Sequence, residues 1–358
     1  MMMNKKQQAR GFFDEYIVLE KLSNLKDPLE KLNSKIDFEI FRPTLESIYG
    51  TIERKNNAGA KPYDYVMMFK VLILERLYNL SDEQTEFQIN DRLTFRRFLN
   101  LELGHRVPDC NTIWNFKEKL KEDNNEKKLF DCFYRQLAEE GLIVGEGKLV
   151  DASFHEAPRQ RNTREENAQI KQGGVPEHWK EKPNKLRHKD VDADWTKKNN
   201  ETFYGYKNHV KADEGSKLID DYAVTSASVH DSQTLEDLLT IKDKGQDIHG
   251  DSAYSGQNQE ETIAKVEMIN QIHEKGCKNK PLTEEQLQNN RKKSKKRARV
   301  EHIFGFIENS MGGSYVRTIG KQRAKVVIGL TNLAYNLCRS VQLGLNMYKG
   351  KVCPIVKY

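Results

Sequence analysis

The chain reads as an α/β protein in which a mixed-sheet domain follows an all-helical N-terminal domain. Three observations predict this. Apolar residues recur at helical spacing from about residue 11 to residue 140, clearest from Tyr63 to Leu77. At Gly141 the texture changes to short alternating runs rich in β-branched and aromatic residues. Beyond that point strand-like and helix-like segments alternate, separated by long polar insertions. The boundaries that follow are 1–140 for the helical domain, 141–345 for the α/β domain with insertions at 156–200 and 255–299, and 346–358 for a C-terminal tail.

In the N-terminal part, Gly11 to Lys35 is a mixed apolar segment, with a boundary at Phe41-Arg42-Pro43 and a polar loop from Asn56 to Pro62. The helix that starts at Tyr63 carries Val66, Met67, Phe69, Leu72, Ile73 and Leu77, and Asn79 closes it. Ser81-Asp82-Glu83-Gln84 has the S-x-x-Q form of a capping box and opens the next helix. Arg92 to Leu99 gives a short helix with exposed arginines, Pro108-Asp109 caps Asn111 to Lys121, and Glu126 to Glu140 makes another helix. Short helices with arginines outside fit a helix-turn-helix DNA reader and fit a dimerisation module equally well.

In the second part, Leu142 to Val144, a Gly145-Glu146-Gly147 turn and Lys148 to Phe154 read as a β-hairpin. Alternation puts Asp151 and Ser153 on one face of its second strand. Residues 156–200 are rich in Pro, Lys, Arg and Asn, with Trp179 and Trp195 set among charges, a composition expected to form a long loop without a core. Thr202 to Ala212 alternates, with Lys207, His209 and Lys211 on one face and Tyr204, Tyr206 and Val210 on the other. Leu218 to Val229 returns as its partner, and His230-Asp231-Ser232 caps a helix through Leu239. Asp247 to Ser252 is a short buried strand that breaks at Gly250 with Asp251 at its exit. A helix over 257–265, a strand over 268–273 and a closing helix over 323–347 complete the order.

Composition narrows the function classes. Only 37% of residues are hydrophobic and 31% are charged, which describes a water-exposed protein with a modest core. Five widely spaced cysteines without a CxxC pair argue against a disulfide framework and a zinc site. No run is apolar and long enough for a membrane span, and the polar start MMMNKKQQAR lacks the apolar region of a signal peptide. The expected compartment is the cytoplasm, with no membrane partner.

Net charge is +6, and seven of the nine residues from Arg291 to Arg299 are Lys or Arg. Such a run suits a phosphate backbone, the plain alternative being a solvated linker. The segment it leads into, Val300 to Asn309, places Val300, Ile303, Phe304 and Ile307 on one helical face, with Glu301 at the edge of that stripe. Asp151, Asp251 and Glu301 are far apart in sequence, yet two sit in strand settings and one heads a helix that can pack on the same sheet. Three hard oxygen ligands suit Mg²⁺ or Mn²⁺ and not Zn²⁺. Two such ions are a standard device for in-line attack on a phosphodiester, one activating the nucleophile and the other stabilising the leaving oxygen.

The segments LVDASF, GYKNHVKAD, SVHDS, GDSAYSG and RARVEHIFGFI, in this order, resemble the DDE transposases of bacterial insertion sequences, and most closely the insertion-sequence-five group of the insertion-sequence-four superfamily. FEIFRPTLE, the block from Pro62 to Leu101 and VPDCNTIWNFKEKL are similar to that group's helical N-terminal domain. The resemblance implies a ribonuclease H-like catalytic domain with Asp151, Asp251 and Glu301 as catalytic and metal-binding triad. It also implies two Mg²⁺ (or Mn²⁺) ions, double-stranded DNA (terminal inverted repeats and target) as partner, and a homodimer holding two ends. The superfamily's Y-x2-R-x3-E-x6-K signature keeps Arg297 and Glu301 here, with Ser294 in place of the Tyr and Glu308 in place of the Lys. Lys207, His209, Lys211, Lys292, Lys293, Arg297 and Arg299 are candidate DNA contacts, and His230 and Asp231 candidate supporting residues, with ordinary sheet-face and helix-cap roles as the alternative. The function expected is cleavage of inverted-repeat ends and strand transfer. Its rivals are a stand-alone metal-dependent nuclease and a transposase-derived DNA-binding protein without activity.

Overall fold

A computed structural model describes residues 14–50, 61–198, 200–276, 281–345 and 347. The expected loop from Asn56 and the C-terminal tail fall largely outside the described residues, as do Cys277 and Cys353; Cys110, Cys132 and Cys338 form no disulfide among the described residues.

Eight helices come first: α1 (Asp14–Asn24), α2 (Pro28–Lys35), α3 (Arg42–Tyr49), α4 (Tyr65–Leu77), α5 (Asp82–Asp91), α6 (Leu93–Leu99), α7 (Cys110–Lys119) and α8 (Asn125–Glu139). Their ends are written in the sequence. Asp27, Asp64 and Asp109 each accept a backbone N–H at the start of a helix, and Ser81 with Gln84 forms the full capping box. Helix α4 is buried nearly all round, which makes it the axis of this half. The expected exposed arginines of α6 are a correction. Arg96 is buried and donates to the Glu102 carbonyl, while Arg97 pairs with Asp27 at 2.6 Å, because α6 packs on α2 with its basic face inward.

The sheet is built from β1 (Gly147–Glu156), β2 (Asp194–Lys198), β3 (Glu201–Asp213), β4 (Ile219–Ser226), β5 (Asp247–His249) and β6 (Ile269–Asn270). Strand β3 is the long one: its start pairs with β2 and its remainder with β4 along one edge, and β1 runs antiparallel along the other. Strand β5 then pairs parallel to β1, and β6 parallel to β5, so the sheet is mixed as expected. The expected hairpin before β1 does not form. Residues 142–146 carry no strand, since the amides of Val144 and Gly145 are taken by the Asp213 carboxylate.

Residues 156–200 also differ from expectation. They hold α9 (Arg164–Lys171), α10 (Glu177–Lys180), α11 (Pro183–Arg187) and β2, and Trp179 is fully buried. Two carboxylates substitute for the missing aliphatic core. Glu166 accepts from the Trp179 indole at 2.7 Å and from the Thr163 amide at 2.7 Å. Asp190 accepts from the Tyr206 hydroxyl and from the amides of Asp192, Ala193 and Gly320. Burying these groups is tolerable because each is fully bonded.

Helices α12 (Leu235–Leu238) and α13 (Gln257–Lys265) flank the β5 side of the sheet. The stretch expected as a charged lead-in is helix α14 (Glu284–Arg297), opened by a Thr283/Gln286 capping box. Helix α15 (Glu301–Gly305) follows after a turn, and Phe306–Ser310 winds as a π-type turn in place of a continuous α-helix to 309. That extra residue per turn lets both Ile307 and Met311 reach the core, at 2% and 3% exposure.

Helix α16 (Lys321–Gln342) joins the halves. Val326, Val327, Leu330, Leu333, Ala334 and Leu337 are all buried, and one continuous core includes α4, α8, α16 and the inner face of β3. Two asparagines fix its register on the sheet. Asn332 exchanges amide bonds with Asn208, and Asn336 bonds both the N–H and the C=O of Ile219, completing the hydrogen bonding at the start of β4. Asn336→Ala is expected to cost about 1–3 kcal/mol for each backbone group left unpaired. Urea unfolding checks this; an unchanged midpoint would show that water or a neighbour replaces the amide.

Candidate active site

Strand register brings the two aspartates together. The parallel β1–β5 ladder ends on the pair Leu149↔His249, and two residues further along each chain lie Asp151 and Asp251. Gly250 makes the close approach possible: a Cβ there would lie 2.9 Å from the Val150 side chain and 3.2 Å from the Tyr254 ring. Asp251 then turns the chain, its carboxylate accepting the Ala253 amide at 2.8 Å. The ends of adjacent parallel strands, where the chain leaves the sheet, are a recurrent location for sites in open α/β sheets.

Glu301 reaches the same place from another direction. Val300, Ile303 and Ile307 are fixed in the main core, so the start of α15 is anchored beside the sheet while the Glu301 side chain stays 64% exposed. Arg297, the last residue of α14, spans the interval. Its Nη1 donates to Asp151 Oδ2 at 3.0 Å and its Nη2 lies 3.4 Å from Glu301 Oε1. The other oxygen of Asp151 accepts the Ala152 amide at 2.8 Å. Asp151 therefore faces a like charge in Asp251 and an opposite one in Arg297.

Burial dominates the balance at Asp151. It pushes the carboxyl up to about 6, aided by Asp251, against the lowering effect of the Ala152 amide, Arg297 and Lys198. The carboxylate is an anion under strain, and a cation close to it relieves that strain. The donor chemistry thus fits a hard divalent ion, while the spacing is that of a cluster bridged by a guanidinium: among the described residues no three metal-binding side chains converge as a closed cage. Asp151, Asp251 and Glu301 are the residues that would hold such an ion.

The candidate DNA contacts divide into two groups. Lys207, His209 and Lys211 are turned into the protein, at 8%, 0% and 3% exposure, and this corrects their expected DNA-facing position. Lys207 donates to Asp231 at 2.9 Å and to the Val229 carbonyl; Lys211 pairs with Asp243 at 2.7 Å. His209 bonds Thr225 Oγ1, and burial pulls its imidazole down to about 4, so it is neutral at pH 7. Asp231 belongs to this support, and His230 is an exposed N-cap that accepts the Ser232 amide.

The basic run on α14 is likewise split. Lys293 donates to the Ile272 carbonyl, Arg299 to the Glu214 carbonyl, and Lys296 pairs with Glu214, so these cations pin the helix to the sheet. Arg291, Lys292 and Lys295 are exposed, and Lys296 and Arg299 keep 48% and 45% of their side chains exposed despite these contacts.

Two neighbours escaped sequence reading. Tyr254 is 1% exposed, and its hydroxyl has no hydrogen-bond partner among the described residues. Burial, reinforced by Asp151, Asp231 and Asp251, keeps it protonated. Its only signal was three residues' separation from Asp251. His273 faces Arg297, Lys293 and Asp251 from the β6 side and bonds Ser294 Oγ at 3.4 Å; burial and the two cations hold it below the usual imidazole range.

Residues 145–337 match the family described as "Transposase DDE domain", and residues 17–119 match "Transposase domain (DUF772)". Among solved structures there is a loose likeness to the piggyBac transposase in a synaptic complex with hairpin DNA. It has a TM-score of 0.39 and 13% identity, covering 88% of this chain and 75% of that one, a level that carries no structural argument beside the family match. No helix among the described residues is long and apolar enough to cross a membrane.

The Asp151 environment gives a pH test. Between pH ~4 and ~6 the folded state keeps a proton that the unfolded chain has released, so the metal-free protein loses stability as pH rises through that window. Asp151→Asn removes the charge, and thermal melts in chelator are expected to show a variant more stable than the parent above pH ~6, by at most about 3 kcal/mol. A variant that melts at or below the parent at neutral pH would contradict the burial argument.

Proposed function

The chain belongs to the transposase DDE-domain family and is a DDE-type transposase, an enzyme of DNA transposition whose chemistry depends on a divalent metal; from that premise we propose how this member works. It binds the terminal inverted repeats of an insertion sequence of the insertion-sequence-five group, cuts the DNA there and joins the freed end to target DNA. The observation that carries this reading is the β1–β5 register, which sets Asp151 and Asp251 side by side with Glu301 linked to them through Arg297.

Asp151, Asp251 and Glu301 are the catalytic and metal-holding acids of this reading. Two Mg²⁺ or Mn²⁺ ions held by them would supply Lewis acidity on both sides of the scissile phosphate. In the first step a water oxygen bonds to phosphorus, the 3′ oxygen leaves and takes a proton. In the second the freed 3′-hydroxyl attacks a target phosphodiester, and the target's own 3′ oxygen leaves. The first step consumes one water and breaks one phosphate ester bond; the second exchanges one ester bond for another, the proton of the attacking hydroxyl ending on the departing 3′ oxygen, and neither consumes a nucleotide cofactor.

Asp231, Lys207 and His209 hold the sheet face behind the acids, with His230 capping the turn that carries Asp231. Residues 1–140 serve as the DNA-binding or dimerisation part, and 141–345 as a ribonuclease H-like catalytic part. The antiparallel β4-β3-β1 arrangement followed by parallel β5 and β6 supports that fold assignment. A homodimer holding two element ends is the assembly this chemistry requires, and Lys292 with its exposed neighbours offers charge to the DNA backbone.

Asp151→Asn, Asp251→Asn and Glu301→Gln are each expected to lower cleavage of inverted-repeat duplexes in Mg²⁺ by at least roughly a thousandfold, the scale of losing a principal electrostatic group. Gel-shift affinity for the same duplex is expected to stay within a few fold. Full cleavage by any of the three would sink the assignment. A pre-cut end with a free 3′-hydroxyl distinguishes strand transfer from plain hydrolysis: joined product is expected, and its absence would leave only a nuclease.

A further inference from the structure

We propose that Arg297 is a positioning residue that stands in for the metal: its guanidinium holds Asp151 and Glu301 together in the DNA-free protein and must leave Asp151 before a divalent ion can bind, so that metal loading is coupled to DNA. This rests on the triad reading given under Proposed function.

The geometry supports it at both ends of the bridge. Asp151 has two oxygens, and Oδ1 is already committed to the Ala152 amide. Oδ2 accepts Arg297 Nη1 at 3.0 Å, so an ion at that oxygen meets the guanidinium. A divalent ion and a guanidinium on one carboxylate oxygen repel each other, so the two compete. Glu301, mostly exposed and held only at 3.4 Å, follows the guanidinium and is the mobile end.

Arg297 is free to move only as a side chain. On either side of it Lys296 contacts Glu214 at 3.3 Å and Arg299 donates to the Glu214 carbonyl at 3.0 Å, which pins the backbone to the end of β3. The side chain is 25% exposed, while its Nε is buried and has no hydrogen-bond partner among the described residues. A partly exposed planar guanidinium at the exit of a basic helix is suited to capture of a phosphodiester. An incoming backbone phosphate therefore draws Arg297 off Asp151, and the vacated oxygen becomes available to the ion. The order keeps the acids together without loading them until DNA is present.

The test is Mn²⁺ binding by the full chain, followed by electron paramagnetic resonance of free Mn²⁺, with and without a non-specific duplex oligonucleotide. Parent protein is expected to bind Mn²⁺ weakly alone and more tightly with duplex. Arg297→Gln is expected to bind Mn²⁺ on the order of tenfold more tightly without DNA, and to gain little when duplex is added. Arg297→Lys, which keeps the charge, is expected to stay as weak as the parent. If Arg297→Gln binds Mn²⁺ no better than parent while remaining folded by circular dichroism, the inference is overturned. Asp151→Asn separates the two levels: loss of Mn²⁺ binding supports the underlying triad, whereas Mn²⁺ binding equal to the parent overturns the triad and this inference together.

Discussion

The structure depends on placing two like charges side by side at the end of a parallel strand pair. Once β5 pairs with β1 in the register Leu149↔His249, Asp151 and Asp251 have no alternative but to be neighbours. Asp151 is nearly buried, so the repulsion is not relieved by water. Positive charge has to be delivered to that point, and the chain delivers it from far away in sequence. Helix α14 ends on Arg297, and Lys296 and Arg299 hold the helix there through Glu214 at the end of β3.

The same economy of charge runs through the rest of the sheet. Lys207 meets Asp231, Lys211 meets Asp243, and Lys148 meets Asp220, each pair buried on a sheet too polar to be sealed by aliphatic side chains alone. Buried pairs of this kind contribute little net stability compared with apolar packing, but removing one partner leaves an unpaired charge inside the protein. They act as register marks: a slip of β3 by one residue would turn Lys207 and Lys211 toward the core helices and Tyr206 and Val210 away from them. The insertion follows the same rule, since Glu166 and Asp190 gather Trp179, Tyr206 and several amides where no aliphatic core exists.

Much of this was legible in the chain. The caps at Ser81 and Asp109, the alternation through β3 and the stripe on α16 follow from local pattern, because each is set by neighbours within a few residues. Four features were not. The segment 156–200 looked unable to fold because apolar periodicity detects greasy cores and is blind to cores built on a carboxylate. The lysines of β3 looked available to DNA because alternation tells which residues share a face, not what covers it. The run from Arg291 looked like one uniform strip, whereas a helix divides it into an inward and an outward side every few residues. Tyr254 left almost no trace, since its place depends on how tightly Gly250 lets two strands approach.

The division of the basic run changes what charge means for this protein. Lysines sealed against a carboxylate inside the sheet, as Lys207 and Lys211 are, present no charge at the surface, so a count of Lys and Arg overstates the exposed positive charge. Arg291, Lys292 and Lys295 remain on the outer side of α14, directly adjoining the arginine that bridges the acids. A phosphate backbone approaching along that side meets exposed ammonium and guanidinium groups first and the bridging arginine last. The exposed cations and the arginine that keeps two acids together thus lie on different faces of one helix. Any change in the pitch or docking of α14 would alter both at once.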